Sequence, residues 1–244
     1  MSGRDTVQSV ERACEVLDAL LLRGGRAGLH ELAGDTGLAA ATVHRLCATL
    51  TGQGYLRRDA GREYLLGPRL QRLGGAAART TIGWAEPLLA ELVDRTGETA
   101  NLAAREGDGV VYLAQVPSPH SMRMFTEVGR RVEVHCTAVG KALVAPLPDA
   151  EVRALLARAG MRRHTHATLT EPDAFLAELA VVRERGHATD ESEQEEGVRC
   201  VAVAVGGGRS ALAFSVSGPE ARFTEGRRED AVEVIHETLR RLTT

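Results

Sequence analysis

Four side chains capable of polar chemistry stand in the last quarter of the chain, on segments whose neighbours are typical of strands. Asp190 opens an acidic run that ends at Glu196, and Cys200 follows in the next apolar segment. Ser215 and Ser217 stand two apart in another apolar segment, and residues two apart on a strand face the same side of a sheet. A carboxylate, a thiol and two hydroxyls in this arrangement predict a site for one small polar ligand.

A second set of polar residues lies in the first quarter of the chain, at the start of a predicted helix over residues 39–53. A short predicted helix over 29–36 precedes it, and Gly37 stands between them, which is typical of a helix-turn-helix. The second helix of this motif reads base edges in the major groove from its N-terminal end. The candidate DNA contacts there are Ala40, Thr42, His44 and Arg45.

A short hairpin is predicted directly after this helix. Residues 55–58 and 63–66 read as strands around a turn that contains Gly61, which forms a wing next to the helix-turn-helix. Its arginines are expected to contact phosphates or the minor groove. These are Arg57, Arg58 and Arg62.

The distribution of charge along the chain differs between the predicted DNA-binding segment and the rest of the chain. The net charge is −3, but residues 39–69 carry five arginines against Asp59 and Glu63. Residues 81–244 carry 19 basic and 25 acidic residues. Positive charge therefore concentrates where DNA is expected to bind, and its modest size predicts few phosphate contacts per subunit.

Hydrophobic spacing predicts the elements that position both sets. The first helix is expected over 7–22 and capped by Ser9, and its inward residues are expected to be Val10, Ala13, Cys14, Leu17, Leu20 and Leu21. Further helices are predicted over 69–79, 86–96, 138–145, 149–159, 172–185 and 225–242. Strands are predicted over 99–105, 110–116, 131–135, 187–190, 198–205 and 210–216. Tight turns between several strands favour an α+β domain with an antiparallel or mixed sheet.

The same pattern predicts three segments. Residues 1–66 form a winged helix-turn-helix DNA-binding domain, residues 67–80 a linker helix, and residues 81–244 an effector-binding domain. No signal segment or apolar run of membrane-spanning length is present, so a cytoplasmic protein without membrane contact is expected. Four cysteines without a Cys-x-x-Cys pair predict reduced thiols.

The motifs together resemble those of the IclR family of bacterial transcriptional regulators over essentially the whole chain. The matching segments are Thr42–Leu46, Gly54–Leu56, His135–Leu143, Gly186–Glu193, Gly197–Ala202 and Ser215–Pro219. The resemblance implies a winged helix-turn-helix, a linker helix and a GAF-like effector domain, with dimers or dimers of dimers. It also implies control of a catabolic operon, mostly by repression, in response to a small metabolite.

The resemblance also assigns effector contacts. Polar contacts are implied for Asp190, Cys200, Ser215 and Ser217. Backbone amides at a helix start are implied for Ala138 and Val139, where partial positive charge suits a carboxylate or carbonyl oxygen. Apolar walls of the pocket are implied for Met124 and Val132.

Two details refine these expectations. Ala40 and Ala41 stand where relatives often have polar residues, so base reading there is expected to be weak or apolar, as with a thymine methyl group. Residues 121–131 and 164–170 resemble family members that control allantoin and glyoxylate metabolism. A ureide or a 2-oxo acid such as glyoxylate is therefore the expected effector.

Other classes of function remain open at this point. Cys136 and Cys200 admit a redox- or metal-sensing regulator, and Cys200 admits a thiol enzyme acting on small carbonyl compounds. The acidic neighbourhood of Cys200 argues against a nucleophile because it should raise the thiol pKa. Zinc ligands are conceivable in two sets, His164, His166 and His187 with Asp190, or His135 with Cys136. Neither set has a standard metal spacing, so no metal, no cofactor and no enzymatic activity are predicted.

Overall fold

The computed structural model describes residues 7–77, 82–206 and 211–241. The chain forms two compact units, residues 1–80 and residues 81–244. None of the described helices is long and apolar enough to cross a membrane.

The first unit is a winged helix-turn-helix. Its elements in chain order are α1 (Gln8–Leu22), β1 (Arg26–Ala27), α2 (Leu29–Thr36), α3 (Ala40–Gly52), β2 (Leu56–Arg58), β3 (Tyr64–Leu66) and α4 (Pro68–Ala77). Gly37 ends α2 with a φ of 66°, a left-handed conformation that glycine adopts without steric cost. The wing is a three-stranded antiparallel sheet in the order β1-β3-β2. The two-residue strand β1 has no signal in the hydrophobic spacing, because so short a strand shows no alternation.

The first helix corrects two predictions. Ser9 does not cap α1: the N-cap is Val7, and no side chain caps this end. Leu20 is buried and Leu17 packs against the core as predicted, but Val16 and Ala19 complete this face, whereas Val10 and Leu21 are 59% and 62% exposed. Helix α1 carries apolar residues on more than one face, and packing against α2 and α3 determines which face is buried.

The predicted linker helix is present as α4, one residue earlier than expected at its start. Residues 78–80, the end of the predicted linker, lie outside the described residues.

The second unit is an α+β domain built on one antiparallel sheet. Its elements are α5 (Glu86–Thr96), β4 (Thr99–Glu106), β5 (Gly109–Val116), β6 (Arg131–Glu133), α6 (Ala138–Val144), α7 (Asp149–Ala159), α8 (Pro172–Arg185), β7 (Ala188–Glu191), β8 (Val198–Val205), β9 (Leu212–Pro219) and α9 (Glu225–Arg240). The described strands follow the order β6-β5-β4-β9-β8-β7, and every pair of neighbours is antiparallel. The predicted choice between an antiparallel and a mixed sheet is thereby settled as antiparallel.

Each face of this sheet packs on a different helical layer. One face packs against α6, α7 and α8, around a core that includes Val139 and Phe175. The opposite face packs against α5 and α9, around a core that includes Leu92 and Phe214. Successive strand residues alternate between these layers, so the register fixes which polar side chains share a face.

Strand β9 is longer than predicted at its C-terminal end and carries Ser217 within it. Its pairing to β4 extends to Thr99 opposite Ser217, and its pairing to β8 extends to Val198 opposite Pro219. Bonding on both sides keeps the backbone extended past Val216. The predicted strand start at Ser210 lies outside the described residues.

Candidate functional site

Helix α3 presents its candidate DNA-binding residues on the side away from the core. Val43 and Cys47, one helical turn apart, are fully buried, and Leu46 packs against the same core, so His44 and Arg45 lie on the outward side of the helix. His44 and Arg45 are exposed, while Ala40 and Thr42 are half-buried. The side chains of His44 and Arg45, which can form hydrogen bonds or carry positive charge, are therefore accessible to DNA.

The wing adds three exposed arginines to the same unit. Arg57, Arg58 and Arg62 are exposed, and the Arg58 guanidinium lies 5.5 Å from the centre of the Tyr64 ring. Arg58 Nε also donates to the carbonyl of Arg62, 3.2 Å away, which holds the hairpin tip. Arg62 adopts the left-handed conformation there, with a φ of 66°.

The acidic side chains of the wing are neutralised within it. Arg26 on β1 forms ion pairs with Asp59 and with Glu63, the latter at 3.0 Å between Nε and Oε2. Because both carboxylates have a partner, the wing arginines keep their positive potential. The pKa of Asp59 is lowered by backbone hydrogen bonds and by Arg26, so this carboxylate remains ionised.

In the second unit, the register places three of the predicted effector residues in one line across the sheet. Asp190 on β7 lies opposite Cys200 on β8, and Cys200 lies opposite Ser217 on β9. The line continues to Thr99 on β4, opposite Ser217. We call Asp190, Cys200, Ser217 and Thr99 the polar row. All four are buried, on the face covered by α6.

A second line of polar side chains lies beside the polar row, and only Ser215 in it was predicted. Asn101 on β4 lies opposite Ser215, and its Nδ2 is 3.2 Å from Ser217 Oγ and 3.4 Å from Ser215 Oγ. Gln115 on β5 donates from Nε2 to Asn101 Oδ1 over 2.9 Å. The missed signal was the pair Thr99 and Asn101, polar residues two apart among the apolar residues that begin this strand.

Asp190 has an unusual electrostatic environment. Burial raises its pKa to about 7, although the backbone N–H of Glu193 donates to Oδ1 over 2.7 Å and so favours the ionised form. Near neutral pH the carboxyl group therefore exists in both forms. It can donate a hydrogen bond to an anionic ligand or accept one from a ligand N–H.

Lys141, the only lysine in the sequence, supports the acidic loop that follows Asp190. Its Nζ donates to Glu193 Oε1 over 2.5 Å and to the carbonyl of Thr189 over 3.0 Å. Lys141 and Glu193 are both buried. Burial raises the pKa of Glu193, and the positive charge of Lys141 opposes that rise. Lys141 therefore contacts the chain on both sides of Asp190, at the backbone of Thr189 before it and at the side chain of Glu193 after it.

The remaining predicted effector residues differ in burial: three belong to the core that contains Cys200, and Met124 is half-buried. Val132, Ala138 and Val139 belong to the same buried core as Cys200. Ala138 and Val139 begin α6, whose N-cap Thr137 accepts from the N–H of Gly140 over 3.2 Å. Met124 is half-buried, and its carbonyl accepts from Thr99 Oγ1 over 3.0 Å. Met124 is thus held beside one end of the polar row through its backbone.

The two buried cysteines of this unit are poorly suited to nucleophilic chemistry. Burial raises the pKa of the Cys200 thiol, with the Asp190 carboxylate as a further cause. Burial and the Glu133 carboxylate raise the pKa of Cys136. The predicted direction for Cys200 is confirmed, although burial contributes more than nearby acidic charge. Since the thiolate is the reactive form, neither residue resembles an activated nucleophile or redox centre.

Of the two zinc-ligand sets, the one around Asp190 is not assembled. His166 is exposed beside Glu196, and His187 precedes β7 by one residue. Alternation along β7 places His187 on the opposite side of the sheet from Asp190, where it lines a cavity of about 220 Å³ with Arg185 and Arg228.

Comparisons with known proteins agree with both units. Residues 9–60 match the IclR helix-turn-helix domain, and residues 78–244 match the C-terminal domain of bacterial IclR transcriptional regulators. The chain is 34% identical over 242 residues to the HTH-type transcriptional regulator BhcR of Paracoccus denitrificans, covering 97% of this chain and 86% of that protein. It is 33% identical to the transcriptional repressor IclR of Escherichia coli, covering 91% and 83%. A solved IclR transcriptional regulator from Silicibacter superposes with a TM-score of 0.85 at 28% identity, covering 94% and 92%.

Proposed function

The chain belongs to the IclR family of bacterial transcriptional regulators, and from that premise we propose that it represses a catabolic operon until a small metabolite releases it from DNA. The family and the relatives named above are DNA-binding regulators of transcription, not enzymes. The Escherichia coli relative is a repressor by name, which supports repression as the direction of control.

The exposed residues of the first unit support the DNA-binding roles. Arg45 is suited to a bidentate contact with guanine or to a phosphate, and Thr42 and His44 to phosphates. Ala40 is suited to a thymine methyl group. The wing arginines Arg57, Arg58 and Arg62 contact phosphates or the minor groove.

The polar row is the observation that carries the effector half of the proposal. Its hydroxyls and carboxyl group, with Ser215 and the Asn101 amide beside them, gather on one buried face of the sheet, where a polar ligand can replace the hydrogen bonds that Asn101 makes to the two serines. Ser215, Ser217 and the amides of Ala138 and Val139 donate to ligand oxygens, and Asp190 donates or accepts according to its protonation. Cys200, Met124 and Val132 supply the less polar walls.

This donor and acceptor pattern favours a small ligand with carbonyl or carboxylate oxygens. A 2-oxo acid such as glyoxylate satisfies the donors and takes a hydrogen bond from protonated Asp190. A ureide such as allantoin satisfies them with its carbonyl oxygens and donates N–H groups to ionised Asp190. The two ligands are distinguished by opposite pH dependence of binding across the Asp190 titration near pH 7.

Control requires that the ligand and the DNA bind different arrangements of a homo-oligomer. We propose a dimer, or a dimer of dimers, that binds a palindromic operator through two α3 helices. Effector binding then weakens DNA binding, and DNA weakens effector binding by the same factor, typically ~5–150-fold.

Binding of the purified full chain to DNA from upstream of its own gene tests the proposal. Allantoin, allantoate and glyoxylate are titrated into the complex, which is followed by fluorescence anisotropy at fixed salt. Release by one of them supports a repressor with that effector class. Tight binding that none of them alters overturns the ureide and 2-oxo acid assignment, and absence of sequence-specific binding overturns the operator assignment.

A further inference from the structure

Three metal-binding groups come together where β6 leads into α6. Glu133 ends β6, and His135 and Cys136 follow it before the N-cap of α6. A ring nitrogen of His135, the sulfur of Cys136 and a carboxylate oxygen of Glu133 all lie within 4.8 Å of one another. His135 and Cys136 are fully buried. This cluster is separate from the contacts assigned to the effector.

The hydrogen bonding of His135 leaves one ring nitrogen available. Nε2 lies 2.9 Å from the carbonyl oxygen of Arg162, and because a carbonyl only accepts, Nε2 carries the proton. In the neutral ring Nδ1 is then a bare lone pair. Nδ1 is buried and has no hydrogen-bond partner among the described residues. An unsatisfied acceptor inside a protein is costly unless something occupies it.

We propose that Glu133, His135 and Cys136 bind a zinc ion, with His135 coordinating through Nδ1. A thiolate, an imidazole and a carboxylate are the ligand types that zinc prefers. Binding displaces the Cys136 thiol proton to solvent, so the bound ion faces one thiolate and one carboxylate. Their two negative charges balance the ion, which makes the buried site neutral overall.

The surrounding residues fit the outer shell of such a site. A histidine that binds metal commonly donates its other N–H to a carbonyl, as His135 does to Arg162. His164 Nε2 contacts Glu133 Oε2 and holds that carboxylate, and the Oγ1 of Thr137 donates to the Glu133 carbonyl over 2.9 Å. Cys136 Sγ donates to Gln194 Oε1 over 2.8 Å, a contact that ends when the thiol loses its proton. Three protein ligands leave one coordination position open.

Zinc content of the purified full chain tests this assignment. After metal removal, the chain is dialysed against Zn²⁺ and assayed by elemental analysis, alongside Cys136→Ser and Cys14→Ser. Cys14 is the matched control because its thiol is exposed and so is the one most open to adventitious metal. About one zinc per chain is expected for the parent and C14S, with loss of bound zinc in C136S.

Cobalt substitution guards against a variant that merely misfolds. Co²⁺ added to the parent chain should give a thiolate-to-cobalt charge-transfer band, and Glu133→Gln, at a half-buried position, should lose metal affinity while retaining the circular dichroism spectrum of the parent. Substoichiometric zinc, no thiolate band, or zinc lost in C14S but kept in C136S would each overturn the site. None of these readouts involves DNA or an organic effector, so they are independent of the proposed repressor function.

Discussion

The two units place their candidate functional residues in opposite environments. In the first, Arg45 and the wing arginines are exposed, and local pairing of Asp59 and Glu63 with Arg26 preserves their charge. In the second, Asp190, Cys200 and Ser217 are buried and depend on a correct strand register. An extended polyanion is bound by a charged surface, whereas a small molecule is enclosed by a precise set of donors and acceptors.

This contrast implies that substitution of a buried polar side chain in the second unit lowers stability, whereas substitution of an exposed arginine in the first unit lowers affinity for DNA with little effect on stability. The largest effect is expected for Lys141→Met, which leaves Glu193 buried without its cation. Loss of one partner from a buried ion pair costs about 3–5 kcal/mol of unfolding free energy. Urea denaturation measures it, with Arg153→Met, from an exposed ion pair, as the control expected to change little.

If the Lys141→Met chain were as stable as the parent, the ion pair between Lys141 and Glu193 would not stabilise the acidic loop. Adding Glu193→Gln to Lys141→Met should restore part of the lost stability, because the uncompensated charge is removed.

The next effect is a pH dependence carried by Asp190. Its pKa is about 7 in the folded chain against 3.8 when unperturbed, so between these values the folded chain holds the extra proton. The contribution of Asp190 to stability is therefore fully present below about pH 4, falls as pH rises from there, and is lost once pH passes about 7. Between pH 5 and pH 8 the parent should lose about 3 kcal/mol relative to Asp190→Asn.

Urea denaturation at both pH values checks this, with Asp108→Asn as the control. The pKa of Asp108 is lowered by Arg158, so that carboxyl group is ionised throughout this window and contributes no slope. If the unfolding free energies of the parent and Asp190→Asn changed with pH in parallel, Asp190 would lie in a solvated environment, which contradicts its burial in the polar row.

In the first unit, Arg45→Ala should weaken operator binding without affecting folding. Loss of one arginine contact to a base costs about 1–3 kcal/mol, which corresponds to roughly 5- to 150-fold in affinity. Fluorescence anisotropy at fixed salt measures it. Arg153→Ala removes the same charge from the second unit and should leave the affinity for DNA near that of the parent. If both variants lose the same affinity, Arg45 contributes only through the net charge of the chain and not through a specific contact.

The smallest effect is expected for Arg57→Ala in the wing. If Arg57 contacts a phosphate, its loss weakens binding about equally for all sequences and reduces the slope of log affinity against log salt by about 1. A salt series with specific and scrambled DNA measures both quantities. Discrimination lost between the two DNAs would instead mean that Arg57 reads bases.

The elements of the fold could be predicted because their signals are local. Helices α5, α7 and α8 have the predicted bounds, since glycine or proline and the hydrophobic spacing mark their ends. The inward face of α1 was predicted only in part: Leu20 is buried as expected, but Val10 and Leu21 are exposed although they satisfy a helical spacing, and Val16 was missed. Tertiary packing decides between such faces, and no local pattern records it.

The candidate site could be predicted in part for the same reason. Ser215 and Ser217 share a strand, so their common face follows from alternation. Asp190 and Cys200 followed from an acidic run next to an apolar segment, and the resemblance implied the same two residues. Asn101 and Gln115 were missed because their proximity to Ser217 depends on pairing between strands more than 100 residues apart. His135 and Cys136 were named together as conceivable zinc ligands, but no metal was predicted because they have no standard zinc spacing. Glu133 was missed because only the turn between β6 and α6 brings its carboxylate to the thiol and the imidazole.

Comparison of the parent chain with Ser217→Ala tests whether a ligand bound at the polar row controls DNA binding by the first unit. DNA affinity of the parent and of Ser217→Ala is measured by anisotropy while glyoxylate, and separately allantoin, is titrated. We expect the two chains to bind DNA equally well without ligand. Release of Ser217→Ala should need a higher ligand concentration, because a hydroxyl donor is missing from the polar row. Identical release curves for the two chains, with ligand-dependent release in both, would contradict it and place the effector elsewhere.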